Sequence, residues 1–396
     1  MSKKWMWPLL LLGWQILAAP ADTFKHLTQK ETVFHGYVIS TDENGLTSIQ
    51  TQEAGLQKIL LSDFEVQINP EGRNRIVPVL SICDEIAYEL ETSAFEQALQ
   101  KEAQRGPLFI LIEIDTPGGR MDLTRRLCAA LSELRFCPTV AFIKGEKNLG
   151  AYSAGTAIAL ACNKIYMAPN TAMGAVTAIV ETDSGYKTQK EVYGEAIGEK
   201  FGSAWRGYLA ALAEKNNRPG ILAKAMENME IEVLEVYRGN QTLFIEAKDK
   251  QPADAVIEIF CKKGELLTLT PERAVHCGMA DGIADNRIHL LAKLNCSDAQ
   301  IQVNQDILKA RQELGMVIKR FNKLMETLDL RFKQLEAKQG NLSQPEAMKA
   351  LQDILRQTET LLRLKQKYPD VPVEETELIQ FRNTVKAEYE NIRTMR

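Results

Sequence analysis

Histidine is scarce in this chain. There are four, His26, His35, His276 and His289, and none lies between His35 and His276. They are scattered, with no acidic or histidine partner at i+4, so no metal site is expected. The middle of the chain also lacks the usual general base of nucleophilic catalysis. The seven cysteines are an odd number, so at least one is unpaired within a monomer. None forms a CxxC pair, which excludes the common zinc and redox motifs. Cys83, Cys128, Cys162 and Cys261 lie in apolar runs and read as small core residues. A net charge of −4 gives no reason to expect a nucleic-acid partner. Beyond the first two dozen residues no stretch reaches the roughly 18 unbroken apolar residues of a membrane span.

What is present begins with "MSKKWMWPLLLLGWQILAAPADTF". Lys3 and Lys4, an apolar stretch through Leu17, then Ala18-Ala19-Pro20-Ala21 follow the order of a secretory signal peptide. Residues 1–21 are therefore expected to direct export to the periplasm or beyond, with an uncleaved anchor as the alternative. The remaining composition, 45% hydrophobic and 25% charged, is that of a globular protein, and 396 residues suffice for two or three structural units. Residues 31–69 carry β-branched alternation broken by "TDENG" and "EAG" turns, and predict a small β domain. "INPEGRNR" reads as a linker.

From Ile76 strands alternate with helices. "LFILIEI" is an apolar run of the kind buried on both faces of a sheet. "LTRRLCAALSELRF" and "SAGTAIALAC" read as helices, "TVAFIKG" and "KIYMAP" as strands. Residues 76–297 thus predict an α/β domain, a largely parallel sheet with crossover helices. Residues 298–396 show only helical signal. Ile307, Leu314, Phe321, Leu328 and Leu335 recur every seven residues, and "QGNLSQPE" and "YPDVPVE" break the pattern. A helical hairpin or three-helix coiled-coil tail is expected, its seam covered by Leu351, Ile354, Leu355, Leu361 and Leu362 of the same chain or by another chain.

The chemistry concentrates in two loops. "IDTPGGRMD" follows the buried strand, and its Gly118-Gly119 doublet can turn a backbone N–H outward. "GEKNLGAYSAGTA" follows the next strand and places Ser153 at a helix start, where unpaired N–H groups point. The N–H of Ala154 and that of Gly118 or Gly119 are candidates to share one oxyanion. A serine nucleophile needs a base. Without histidine, the candidates are Lys187, Lys190 and Lys200. Lysine must lose about 4 kcal/mol of preference for its charged form to act near neutrality. Lys200 fits best, because it opens an amphipathic helix whose Trp205, Tyr208, Leu209 and Leu212 are expected to bury it. Lys187 and Lys190 lie in the polar run "TDSGYKTQKE", read as a solvated loop.

Four segments, "EIDTPGG", "AYSAGTAIALACNKIYMAPNTAMGA", the "YLAALAEKNNR" helix and "LLTLTPERAVHCGMADGIA", make residues 76–284 resemble the protease domain of the NfeD family. These are exported or membrane-associated serine proteases of the ClpP/crotonase superfamily, related to signal peptide peptidase A. The resemblance implies a ClpP/crotonase-like fold, Ser153 as nucleophile, Lys200 as base, and Gly118 and Gly119 in the oxyanion turn. It implies no cofactor. It also implies apolar peptide segments as substrates, including those of membrane-associated proteins, and a homo-oligomeric assembly. The alternatives are a catalytically degenerate scaffold or binding protein, and acyl-CoA chemistry, for which no carboxylate appears at the helix starts. A helical tail stands where the family carries transmembrane helices and a β barrel. The 47-residue interval from Ser153 to Lys200 points to an extended loop around 181–192.

Overall fold

The computed structural model describes residues 21–42, 45–51, 53–134, 136–182, 184–338 and 342–394. The expected signal segment, up to Pro20, lies outside the described residues. Five antiparallel strands come first: β1 (Asp22–His26), β2 (Val33–Thr41), β3 (Leu46–Thr51), β4 (Gly55–Leu60) and β5 (Phe64–Gln67). They form one sheet in the order β4-β3-β2-β1-β5, with Phe24 and Ile49 fully buried. The alternation across 31–69 accounts for four of the strands, and β1 precedes that window. The expected linker is not a solvated connection. It buries Arg73, whose guanidinium donates to the Asp22 carboxylate at 2.5 Å, the Phe136 carbonyl at 2.6 Å and the Pro107 carbonyl at 3.3 Å. Asp22 and Arg73 are each about 3% exposed at the side chain, so this pair joins the β unit to the α/β region beyond it.

The α/β region runs β6 (Ile76–Cys83), α1 (Glu89–Ala103), β7 (Ile110–Asp115), α2 (Met121–Glu133), β8 (Thr139–Ile143), β9 (Gly150–Tyr152), α3 (Ala154–Ala161), β10 (Lys164–Met167) and β11 (Ala172–Gly174). A hairpin, β12 (Ile179–Thr182) and β13 (Gly185–Thr188), leads to α4 (Gln189–Tyr193), α5 (Glu195–Lys215) and α6 (Gly220–Ala225). This hairpin and α4 occupy the run expected to be a solvated loop, and they supply the extra length between Ser153 and Lys200. An antiparallel trio comes next, β14 (Val233–Arg238), β15 (Gln241–Glu246) and β16 (Ala255–Cys261), then β17 (Thr268–Leu269), α7 (Pro271–His276), β18 (Gly282–Ile283), α8 (Arg287–Lys293) and β19 (Gln300–Val303).

The main sheet has the order β18-β10-β8-β7-β6-β19, and every neighbouring pair is parallel. All six residues of β7 are buried, as a central strand covered on both faces must be. Ile110, Ile112 and Ile114 join the larger core beside Leu99, Leu123, Leu127 and Leu209. Leu111 joins the core on the opposite face with Val77, Val79, Phe142 and Leu290. Glu113 emerges on that second face, 1% exposed, where Arg287 donates to both carboxylate oxygens at 2.5 and 2.8 Å and Lys144 lies at 3.3 Å. Burial alone would push this carboxyl up, but Arg287 and Lys144 hold it below its ordinary value.

The helical tail starts later than the sequence pattern implies. Gln300–Val303 forms the edge strand β19 against β6, so only α9 (Asp306–Ala337), α10 (Gln344–Lys367) and α11 (Glu375–Thr394) are helical. Phe321 and Leu328 of the seven-residue seam are buried against Leu351, Ile354, Leu361 and Leu362 of α10 and Leu378 and Val385 of α11. Each is worth roughly 1.5–3 kcal/mol, so the seam is satisfied inside the chain. Ile307 departs from the seam and packs on the larger α/β core.

Replacing Arg287 with alanine leaves Glu113 with Lys144 and, at 3.5 Å, the Ser81 hydroxyl. A loss of about 2–3 kcal/mol at neutral pH is expected, below the roughly 3–5 kcal/mol of a fully broken buried pair. Glu113 is depressed in the fold, so its ionic contribution is complete above the ordinary carboxylate range and fades as pH falls through the folded value. Thermal unfolding of both proteins from pH 7 downward checks this: the gap should narrow in acid.

Candidate active site

The buried strand β7 ends at Asp115, and the next residue ties two loops together. Thr116 N–H donates to the Gly150 carbonyl at 3.0 Å, and Tyr152 N–H donates to the Thr116 carbonyl at 3.0 Å. This parallel bridge between Thr116 and Ala151 sets the Gly-Gly turn beside the strand that delivers Ser153. The Thr116 hydroxyl donates to the Asp84 carbonyl at 2.5 Å and accepts from Gly118 N–H at 3.1 Å. Gly118 has φ 125°, and a Cβ there would lie 2.7 Å from Ser153 Cβ and 3.1 Å from its Oγ. Gly119 is held by Ile86: a Cβ would strike the Ile86 carbonyl oxygen at 2.3 Å. Glycine is thus required twice, at 118 by the serine and at 119 by a neighbouring backbone.

Ser153 caps α3 with φ 50° and ψ −114°, a conformation that costs a non-glycine residue roughly 1–3 kcal/mol. Its N–H donates to the Gly174 carbonyl at 3.0 Å, and its carbonyl accepts from Thr156 N–H at 3.1 Å. Thr156, fully buried, locks the same corner: its hydroxyl donates to the Ala151 carbonyl at 2.6 Å and accepts from Gly174 N–H at 2.8 Å. The Ser153 side chain is half-buried and makes no capping bond to the helix. The sharp strand-to-helix turn, its hydroxyl without a hydrogen-bond partner among the described residues, is the geometry of a nucleophile elbow.

The N–H groups expected around an oxyanion are not equivalent. Gly118 N–H is spent on Thr116 Oγ1. Gly119 N–H and Ala154 N–H have no hydrogen-bond partner among the described residues. Ala154 N also lies 3.5 Å from where a Gly118 Cβ would be, so the helix start and the turn share one small space.

Asp115 has a role that the sequence pattern does not assign. Its carboxylate, 2% exposed, accepts from the N–H groups of Glu146, Lys147 and Asn148 at 3.2, 2.7 and 3.0 Å, and from Gly150 at 3.4 Å. A single carboxylate thus folds the loop that feeds β9. The available signal was an acidic residue ending a buried strand directly before a glycine-rich turn.

The lysines separate clearly. The Glu195 and Glu199 carboxylates, at 2.7 and 3.1 Å, hold the Lys190 ammonium above the ordinary lysine range, which makes it a poor base. Lys187 sits exposed on β13. Lys200 lies on α5, which packs against α3. Trp205 of α5 donates from Nε1 to the Val176 carbonyl at 3.0 Å, two residues beyond Gly174. The helix is therefore anchored beside the Ser153 corner, with Lys200 one and a half turns nearer its start. The expected burial of Lys200 does not occur: Trp205, Leu209 and Leu212 are buried, but Lys200 is exposed. Nine residues at 100° each put Lys200 on the side of the helix opposite Leu209. No hydrogen bond joins Lys200 Nζ to Ser153 Oγ. The exposed surface around Lys200 is apolar instead, with Ile197 and Phe201 on the same turn and Tyr193 against Phe201.

No cluster of three or more His, Cys, Asp or Glu residues suited to a metal occurs among the described residues, and all seven cysteines are free thiols. No helix among the described residues is long and apolar enough to cross a membrane.

Residues 75–255 match the family described as NfeD1b, N-terminal domain. Over 242 residues the chain is 31% identical to the Membrane protein NfeD1b of Bacillus subtilis, an alignment covering 61% of this chain and 46% of that protein. Over 195 residues it is 28% identical to the Membrane-bound protease PH1510 of Pyrococcus horikoshii, covering 49% of this chain and 34% of that protein. The chain thus spans less than half the length of either relative. Among solved structures, a serine-to-alanine variant of the 1510-N membrane-bound stomatin-specific protease aligns with a TM-score of 0.43 at 23% identity, over 59% of this chain and 98% of that one. Its lysine-to-alanine variant in complex with a substrate peptide aligns with a TM-score of 0.40 at 22% identity, over 60% and 97%. Over residues 75–255, then, the chain is similar to the NfeD1b N-terminal domain family.

Proposed function

We propose that this chain is a serine endopeptidase that uses Ser153 as nucleophile and Lys200 as general base, and that cleaves apolar peptide segments. The observation that carries the reading is the strained, half-buried Ser153 against Gly118, with the N–H groups of its neighbour Ala154 and of Gly119, next to Gly118 in the chain, without partners among the described residues. The similarity to a protein named as a membrane-bound protease supports peptide-bond chemistry. Metal and cofactor have no part in the scheme.

In this scheme a substrate carbonyl carbon meets Ser153 Oγ as neutral Lys200 Nζ takes the hydroxyl proton. The C=O bond opens to an oxyanion, which the N–H groups of Gly119 and Ala154 receive. Collapse breaks the C–N bond, and the Lys200 ammonium returns its proton to the leaving amine. Water then hydrolyses the acyl-serine by the same path. An exposed lysine favours its charged form, so it needs desolvation to serve as base. The apolar surface of Tyr193, Ile197 and Phe201 suggests how: an apolar substrate laid across it removes water from Lys200 as it binds. Apolar segments of membrane-associated proteins fit this requirement. Export through residues 1–21 and self-association belong to the same proposal. The tail seam is spent within the chain, so assembly would use another surface.

The rival reading, a degenerate scaffold, draws on the separation of Lys200 from Ser153, and activity decides between them. Ser153→Ala should reduce cleavage of an apolar peptide at least about a thousandfold, leaving only binding and the oxyanion groups. Ser153→Gly should be equally inactive and more stable by about 1 kcal/mol, since glycine adopts positive φ without strain. Denaturant unfolding with parallel peptide assays reads both, and an active alanine variant would end the proposal.

The base makes a separate forecast. Lys200→Arg should be inactive because guanidinium stays charged, whereas Lys190→Arg should retain its rate. Wild-type activity should rise with pH, as a mechanism that needs a neutral amine base requires. A pH–rate profile unaltered by Lys200→Arg would assign the base elsewhere.

A further inference from the structure

Arg311 brings the helical tail to the segment beside the candidate active site. Arg311 of α9 donates from Nε and Nη2 to the two carboxylate oxygens of Glu91 at 2.9 and 2.7 Å. Its Nη1 donates to Asp84 Oδ2 at 2.9 Å, and Nη2 also donates to the Cys83 carbonyl at 2.7 Å. Both Cys83 and Asp84 stand where β6 ends and the segment leading to α1 begins. Asp84 has φ 67°, a left-handed conformation that a non-glycine residue holds only when its surroundings impose it. Its N–H donates to the Asp115 carbonyl at 3.1 Å, its carbonyl accepts the Thr116 hydroxyl at 2.5 Å, and its carboxylate also pairs with Lys147. Lys147 N–H is one of the groups gathered by Asp115.

The same segment carries Ile86. Its N–H donates to the Gly118 carbonyl at 2.9 Å, and its carbonyl accepts from Arg120 N–H at 2.8 Å. Thus residues 84–86 hold the Gly-Gly turn from outside, as Thr116 holds it from within. A second tail contact falls on the same stretch: Asp370, between α10 and α11, accepts from the N–H groups of Glu89 and Leu90 at the start of α1 at 2.9 and 3.1 Å. These are the unpaired donors of a helix start, satisfied here by the tail.

We propose that Arg311 is a positioning residue for the oxyanion turn, so that the helical tail acts on catalysis through Arg311, Asp84 and Thr116. Arg311 touches no reacting atom. It fixes the carboxylate and conformation of Asp84, whose carbonyl orients the Thr116 hydroxyl, which in turn fixes Gly118 against Ser153. The proposal rests on the serine-peptidase reading. A lysine at 311 could reach Asp84 but could not span Glu91 with two parallel bonds while also holding the Cys83 carbonyl.

The test uses the full chain and an alkyl fluorophosphonate, whose reaction with serine needs the oxyanion groups, together with peptide kinetics. Arg311→Ala should slow both labelling and kcat about tenfold to a hundredfold, the cost of a displaced oxyanion donor, with KM little changed. Arg311→Lys should fall between alanine and wild type. Asp84→Asn, which keeps the shape but weakens the pairing, should resemble Arg311→Ala and serves if the latter does not fold. Leu361→Ala, fully buried in the tail and outside the hydrogen bonds that Arg311 and Asp370 make to residues 83–91, is the stability control: it should lower the melting temperature yet leave kcat unchanged below that temperature. Variants of Arg311 and Asp84 that lose stability but label and turn over at the wild-type rate would overturn the proposal. A Leu361→Ala enzyme equally slowed would do the same, since general loosening would then explain the effect. A wild-type chain that neither labels nor cleaves would instead remove the peptidase reading on which the proposal rests.

Discussion

Two backbone hydrogen bonds, from Thr116 N–H to the Gly150 carbonyl and from Tyr152 N–H to the Thr116 carbonyl, set the site. They join the end of a central sheet strand to β9, which lies outside the main sheet. Without them the Gly-Gly turn and the serine turn would be independent loops, each with its own freedom. With them, Gly118 presses on Ser153 so closely that no side chain fits between. The strain of Ser153 is offset by bonds converging on the same corner from Gly174 and Thr156. Asp115 completes the arrangement by gathering four N–H groups of the intervening loop. The result is a rigid cradle made almost entirely of backbone, which is why small residues dominate the sequence around it.

Much of this was legible in residue types. A six-residue buried strand reads as an apolar run because both faces are covered, and the alternation of strands and helices comes from a parallel sheet needing crossovers. Gly118, Gly119 and Ser153 stood out because few residue types tolerate such turns. Most of the features that escaped the pattern depend on partners distant in sequence. Asp22 and Arg73 are 51 positions apart, and neither carries a local mark of burial. Glu113 sits inside an apolar run and is tolerated because Arg287, 174 positions away, and Lys144 reach it. The edge strand β19 alternates Gln300-Ile301-Gln302-Val303, a four-residue signal short enough to be overshadowed by the helical pattern that follows. Gly118 and Gly119 looked interchangeable as oxyanion donors until the Thr116 hydroxyl was seen to occupy one of them.

Lys200 shows the limit of reasoning from amphipathicity. Its helix does bury Trp205, Leu209 and Leu212, but a helix has two sides and Lys200 lies on the other one. In the proposed scheme lysine stands where histidine is missing, and the carboxylates on Lys190 narrow the choice. In that scheme the exposure of Lys200 makes desolvation a consequence of substrate binding, which would couple base strength to the apolar character of the substrate. The tail adds a second coupling. Its seven-residue seam is closed internally, while Arg311 and Asp370 face the segment that braces the Gly-Gly turn.

The most direct measurement is the structure of the full chain after reaction with a fluorophosphonate. An adduct on Ser153 Oγ, with its phosphoryl oxygen within hydrogen-bonding distance of both Gly119 N and Ala154 N, is the expected result. An adduct on a different serine, or a phosphoryl oxygen turned away from those two N–H groups, would contradict the assignment of this corner as a catalytic site.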